Sequence, residues 1–136
     1  MKKSIMMVIA IVCSMSFSMK VSAGRNSLPS MIILQNTPIF KVVSSKEFKT
    51  LMSKKGAQLI DVRTPKEYND GHIGAAKNID FYGSTFKSQM EKLDRNKPVL
   101  LYCHSGGRSG QALTMLKSMG FKEVYDLKGG WSSWPK

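Results

Sequence analysis

The apolar run Pro98-Val99-Leu100-Leu101-Tyr102, which ends at Cys103 and continues into His104-Ser105-Gly106-Gly107-Arg108-Ser109, constrains this chain more than any other stretch. A short continuous apolar run followed by a glycine-containing loop and a helical pattern reads as strand, tight loop, helix. Such a loop turns several backbone N–H groups towards one point, and the helix that follows adds the positive end of its dipole, so the arrangement suits an anion. Gly106 and Gly107 supply the positive φ that a curled loop requires, and Arg108 supplies a permanent charge with planar donors. These features favour a thiolate at Cys103 over the thiol, whose unperturbed pKa is about 8.5. The alternative is a small buried cysteine that ends a strand and reacts with nothing. It leaves two glycines, an arginine and a helix start within six residues unaccounted for.

The first residues read as a secretory signal peptide: Met1-Lys2-Lys3, an apolar run from Ile5 to Cys13 that continues more weakly to Met19, then Val21-Ser22-Ala23 before Gly24. Ile11 and Val12 are poor neighbours for a lipoprotein site at Cys13, and serines interrupt the apolar run too early for a membrane-spanning helix. The expected organisation is a signal peptide at 1–23, an N-terminal arm at 24–39 and one folded domain at 40–136, with the mature protein exported to the periplasm. Removing 23 of 136 residues leaves 113, enough for one domain. Lys2, Lys3 and Lys20 leave with the signal, so the formal charge falls from +12 to +9, and Cys103 remains as the one cysteine. A lone thiol in an oxidising compartment forms no internal disulfide.

The basic excess does not read as a nucleic-acid surface, because the lysines are scattered, with no run longer than Lys54-Lys55, and no nucleic-acid-binding motif accompanies them. A solvated basic surface, or attraction of anionic substrates, accounts for it, and no stable membrane insertion is expected once the signal is removed. His72, His104 and Cys103 lack chelate spacing, so neither a metal nor another cofactor is expected.

Along the chain, a strand near Phe40 to Val43 leads into a helix from Ser45 to Lys54, with Ser44 and Glu47 in the form of a capping box and Gly56 as its stop. Gln58 to Arg63 forms a strand ending in charge, Pro65 opens a helical turn that Asp70-Gly71 closes, and a short strand follows near Asn78-Ile79. Ser84 to Leu93 suits a helix, Ser109 to Met119 another, Val124 to Leu127 a last strand, and Gly129-Gly130-Trp131 turns back into the tail. Strands that alternate with helices predict an α/β domain with a mainly parallel central sheet flanked by helices, its ligands at the carboxyl ends of the strands. Asp61-Arg63 and Cys103 both fall at such ends.

Asp61-Val62-Arg63, Glu67-Tyr68, Gly71-His72-Ile73, Gly74-Ala75, Asn78-Ile79, then Cys103 with Gly106 and Arg108-Ser109, and finally Leu127-Lys128-Gly129-Gly130-Trp131 together resemble the pattern of single-domain rhodaneses. With the export signal, the chain resembles a periplasmic member of that family. The resemblance spans about residues 40 to 135. It implies a rhodanese-like fold and a sulfurtransferase: a cysteine takes sulfane sulfur from a small anionic donor such as thiosulfate, holds it as a persulfide and passes it to a thiophile, either cyanide, a small thiol or a protein thiol.

Carried onto this sequence, the resemblance implies Cys103 as nucleophile and sulfur carrier, a backbone cradle from His104, Ser105, Gly106, Gly107, Arg108 and Ser109, and Arg108 steering the anionic part of the donor. Asp61 and Arg63 are expected chiefly to support the loop through a buried ion pair, and His72 to bond a turn. His104 beside the nucleophile is not expected to act as a base, and Trp131 and Trp134 are expected to pack. Two other functions use the same cysteine. A cysteine phosphatase of related fold has one residue more than the four that separate Cys103 from Arg108 here, and a cradle shorter by one residue suits a sulfur atom better than a phosphate. A relay module that holds a persulfide for a protein partner would use every residue named.

Overall fold

The computed structural model describes residues 37–136. The proposed signal peptide and most of the N-terminal arm, up to residue 36, lie outside them.

Among the described residues five strands and four helices alternate: β1 (Ile39–Val43), α1 (Ser45–Leu51), β2 (Gln58–Asp61), α2 (Pro65–Asn69), β3 (Lys77–Asn78), α3 (Phe86–Glu91), β4 (Val99–Tyr102), α4 (Gly107–Ser118) and β5 (Glu123–Leu127). A 3-10 turn at Gly130–Ser133 closes the chain. The sheet order is β1-β5-β4-β2-β3 and every pairing is parallel. The α/β domain with a parallel sheet expected from the alternation is the fold observed.

β4 lies in the middle of the sheet and is buried along its whole length, as a continuous apolar run in a parallel sheet requires. Its side chains alternate between two layers. Val99, Leu101 and Cys103 join Ile60, Val62 and Val124 beneath Phe86 and Met90 of α3 and Ala112 and Leu116 of α4. Leu100 and Tyr102 face the other way, into a cluster with Val43, Phe48, Ile73, Tyr125 and Leu127, against which Trp131 and Trp134 pack. The two tryptophans are packing residues, as expected, and Trp134 meets Phe48 edge to face at 6.1 Å.

Two helices are shorter than their apolar periodicity suggests. α1 ends at Leu51 rather than Lys54, and α3 covers Phe86–Glu91 rather than Ser84 to Leu93. Beyond the ends of both, the backbone bonds step back three residues instead of four: Ser53 to Thr50, Lys54 to Leu51, and Leu93 to Met90. The last turn therefore tightens, as helix ends commonly do. In contrast, α4 begins two residues earlier than expected, at Gly107. The capping box expected at Ser44 is only half formed, since Ser44 accepts from the Glu47 amide without a reciprocal bond. The complete box belongs to α2, where Thr64 and Glu67 satisfy each other's backbone amides and Pro65 opens the first turn.

Leu101 is inaccessible to solvent at the centre of the sheet. Leu101→Ala should lower the unfolding free energy by about 2–5 kcal/mol, the cost of lost apolar burial plus a residual cavity. Urea unfolding of the two proteins measures it.

Candidate active site

Four chain segments meet at the carboxyl end of β4. The first is the loop from Cys103 to Gly106, where Gly106 takes φ +110° so that the chain can curl directly into α4. Of the two glycines in the loop, only Gly106 uses positive φ, because Gly107 is already the first helical residue. The Cys103 side chain is 1% exposed. Its Sγ accepts from the Gly106 amide at 3.0 Å and from the Ser109 hydroxyl at 3.4 Å. Burial pushes the thiol pKa up, but the Ser109 hydroxyl and the amides of Ser109, Gly106 and Ser105 outweigh it, leaving the thiol below its ordinary range. The loop is thus built for a negatively charged sulfur.

The second segment is the chain end. The Trp131 amide donates to the Cys103 carbonyl at 2.8 Å, and the Ser132 amide to the His104 carbonyl at 3.0 Å. A Cβ on Gly130 would stand 2.4 Å from the Cys103 carbonyl oxygen, so only glycine allows the tail this close to the loop. His104 is exposed, and its Nε2 lies 3.3 Å from the Ser132 hydroxyl, on the tail side.

The third segment is the end of β2. The Arg63 guanidinium binds both carboxylate oxygens of Asp61, with the shortest contact 2.6 Å, and donates to the Gly71 carbonyl at 2.6 Å. Asp61 and Arg63 are 0% and 2% exposed. The Arg63 guanidinium also lies 4.7 Å from the Trp131 ring centroid, and a Cβ on Gly71 would stand 3.2 Å from that ring. The pair therefore ties β2 and the turn before β3 to the tail that holds Cys103. His72 stacks on Tyr68 at 4.0 Å and its Nδ1 lies 3.2 Å from the Tyr68 carbonyl, a turn contact rather than a place in the loop.

The fourth segment is α2, whose contribution the sequence reading did not pair with the loop. Glu67 grips Arg108 through two contacts of 2.8 Å. The Arg108 bond holds the Glu67 carboxyl at about 2, with help from Thr64 and against a partial desolvation that raises it. Arg108 thus stands at the loop with its charge already matched, beside the exposed ring of Tyr82, whose centroid is 5.8 Å away. The signal in the sequence was the Thr64-Pro65-Lys66-Glu67 cap, which aims Glu67 back across α2. A second residue also escaped the sequence reading: Asp126 of β5, 3% exposed, whose Oδ1 has no hydrogen-bond partner. Among the described residues no group of three or more His, Cys, Asp or Glu is placed to hold a metal ion, and no helix is long and apolar enough to cross a membrane.

The Rhodanese-like domain family matches residues 44–136. Among curated proteins, the uncharacterized protein YqhL of Bacillus subtilis is 43% identical over 96 residues, spanning 71% of this chain and 73% of its own. The thiosulfate sulfurtransferase GlpE of Coxiella burnetii is 35% identical over 96 residues, with 71% and 88% covered. Among solved structures, a rhodanese-like domain protein from Staphylococcus aureus superposes with a TM-score of 0.62 at 27% identity, covering 71% of this chain and 92% of that one.

The Glu67–Arg108 pair carries a pH signature. The folded carboxyl titrates at about 2 against an ordinary 4.5, so its stabilisation is fully present above pH 4.5 and is lost as the pH falls towards 2. Glu67→Gln should be less stable at neutral pH and should lose less stability across that acid window. Denaturant melts at several pH values compare the two.

Proposed function

We propose, since this chain belongs to the rhodanese-like domain family, that it is a sulfurtransferase that takes sulfane sulfur from thiosulfate or a similar anionic donor. The acceptor is cyanide or a thiol, and the carrier is a persulfide on Cys103. The single observation that carries this reading is the Cys103 Sγ held by the Gly106 amide and the Ser109 hydroxyl, in a loop that favours the thiolate. The name of the Coxiella burnetii relative, a thiosulfate sulfurtransferase, supports the choice of donor.

The Cys103 thiolate attacks the outer sulfur of thiosulfate. A new S–S bond forms to Cys103, the S–S bond of thiosulfate breaks, and its electron pair leaves with sulfite. The same donors that hold the thiolate face the sulfur as charge moves across it, so no reorganisation is needed when the transition state forms. An acceptor nucleophile then attacks the outer persulfide sulfur and returns the Cys103 thiolate. Arg108 meets the anionic portion of the donor at the mouth of the loop, and because Glu67 already engages both its terminal nitrogens, the donor shares that guanidinium or displaces the carboxylate. Asp61 and Arg63 act at a distance, holding the tail that fixes the Cys103 and His104 carbonyls.

Cys103 is the one free cysteine among the described residues. With no resolving thiol there, the persulfide should persist until an acceptor arrives. Intact-mass analysis after thiosulfate should show a gain of about 32 Da, one sulfur atom. Cyanide should discharge it, and Cys103→Ser should never acquire it. An unmodified Cys103 in a protein that turns thiosulfate over, or an active serine variant, would defeat the mechanism. Discharge to a protein thiol but not to cyanide would identify the relay reading instead.

Export to the periplasm is part of the same proposal, resting on Lys2-Lys3, the apolar run and Val21-Ser22-Ala23. N-terminal sequencing of protein from the cell-envelope fraction should begin at Gly24. Retention of Met1 would reject export with cleavage.

A further inference from the structure

Glu67 has more partners than a capping residue needs. Its Oε2 accepts from the Thr64 amide at 3.0 Å, from the Thr64 hydroxyl at 2.9 Å and from Arg108 Nη1 at 2.8 Å, while its Oε1 accepts from Arg108 Nη2 at 2.8 Å. The Thr64 bonds belong to the first turn of α2 and do not involve Arg108. The carboxylate is therefore fixed to α2, and within the pair it is the arginine that can turn towards an incoming anion. The cap alone does not call for a charge, because glutamine at the same position closes a capping box as glutamate does. What glutamate adds is a negative charge on the arginine of the Cys103 loop.

That arginine stands next to the nucleophile's own donor. Ser109, the following residue, donates its hydroxyl to Cys103 Sγ at 3.4 Å. The Glu67 bond holds the Arg108 guanidinium above its ordinary range and the charge on Cys103 adds to this, so two anions act on one cation. The Arg108 and Glu67 side chains are 16% and 30% exposed, so water screens the pair only in part. The Glu67 carboxyl titrates at about 2 and is ionised throughout the neutral range. An uncovered arginine here would draw every anion alike, the donor, the departing sulfite and any inorganic anion. With Glu67 in place the pair carries no net charge, and two of the five guanidinium N–H groups are already engaged.

We propose that Glu67 is a specificity-determining residue of the sulfur-transfer site, a fixed counter-charge on Arg108 that limits how strongly the Cys103 loop prefers anionic reagents over neutral ones. Arg108 supplies the attraction and Glu67 sets its ceiling. A lower ceiling weakens the hold on the doubly charged donor, but it also releases the sulfite that the first step produces, before an acceptor arrives. This inference rests on the reading of Cys103 as nucleophile with Arg108 at its mouth, but its test uses no sulfur donor, so the two can fail separately.

The test is the rate of Cys103 alkylation by iodoacetate, an anion, divided by the rate with iodoacetamide, its neutral counterpart, at neutral pH and low ionic strength. In both reactions the thiolate forms a bond to the methylene carbon and iodide leaves with the electron pair of the carbon–iodine bond. The ratio therefore cancels changes in thiolate fraction and retains the effect of reagent charge. In Glu67→Gln it should rise about threefold or more, the scale of one charge at a partly screened site, and the gain should shrink as salt is added. Arg108→Gln should lower the ratio, and the double variant, neutral like the wild type, should return it close to the wild-type value. An unchanged or lower ratio in Glu67→Gln overturns the proposal. Should Glu67→Gln not fold with its arginine unpaired, the double variant compared with Arg108→Gln removes the same charge. The ratio should be higher in the double variant, and equal ratios in those two would overturn the proposal. Persulfide formation with an unchanged ratio leaves the sulfurtransferase standing without this role for Glu67, whereas no alkylation by either reagent and no persulfide would strike both.

Discussion

Holding a negatively charged sulfur where a side chain is 1% exposed sets conditions that the surrounding structure has to meet. Charge removed from water must be matched by donors in fixed positions, or the group takes up a proton. The matching donors at Cys103 are backbone amides and one hydroxyl, and amides can be fixed only by fixing the chain that carries them. The fully buried β4 anchors one end of the loop and α4 the other, while the tail bonds the carbonyls of Cys103 and His104 so that the chain cannot rotate away from the sulfur. Core, helix and tail are joined at one point because a preorganised cradle is useful only when it is rigid.

A second charge problem sits one strand away. The Asp61–Arg63 pair is almost fully enclosed, a costly arrangement unless the donors and acceptors are satisfied. Arg63 binds both carboxylate oxygens, the Gly71 carbonyl and the face of Trp131, so the pair joins β2, the turn before β3 and the closing 3-10 turn. The tail is thereby held from below by an ion pair and from above by the loop it supports. Gly71 and Gly130 permit these contacts, since a side chain at either would press on the Trp131 ring or on the Cys103 carbonyl.

Arg108 and Asp126 show how the charge near the sulfur is moderated rather than maximised. Arg108 lends its field to the thiolate but is shared with Glu67, which keeps the mouth from being a bare cationic site. Asp126 is a carboxyl in an apolar layer whose pKa burial raises to about 6. Both lie at sequence distances that no local motif spans: 41 residues separate Arg108 from Glu67, and the β5 register brings Asp126 beneath the first turn of α4.

Much of this was legible in the chain itself. The alternation of strand and helix signals determined a parallel α/β sheet, the apolar run before Cys103 determined a central strand, and the glycine after Ser105 determined where that strand could curl into a helix, since φ +110° at Gly106 suits no other residue well. Local chemistry also marked Asp61 with Arg63, two residues apart, as a pair. What tertiary structure alone decided was which distant groups met. Helices α1 and α3 ended where packing tightened their last turns rather than where the apolar period stopped. The same Ser-x-x-Glu and Thr-x-x-Glu patterns produced half a capping box at Ser44 and a whole one at Thr64, because at Thr64 the glutamate is held in place by a second partner, Arg108, supplied from α4. The apolar environment of Asp126 depends on strand register and helix docking, and residue order along one strand carries no information about what another element sets against it.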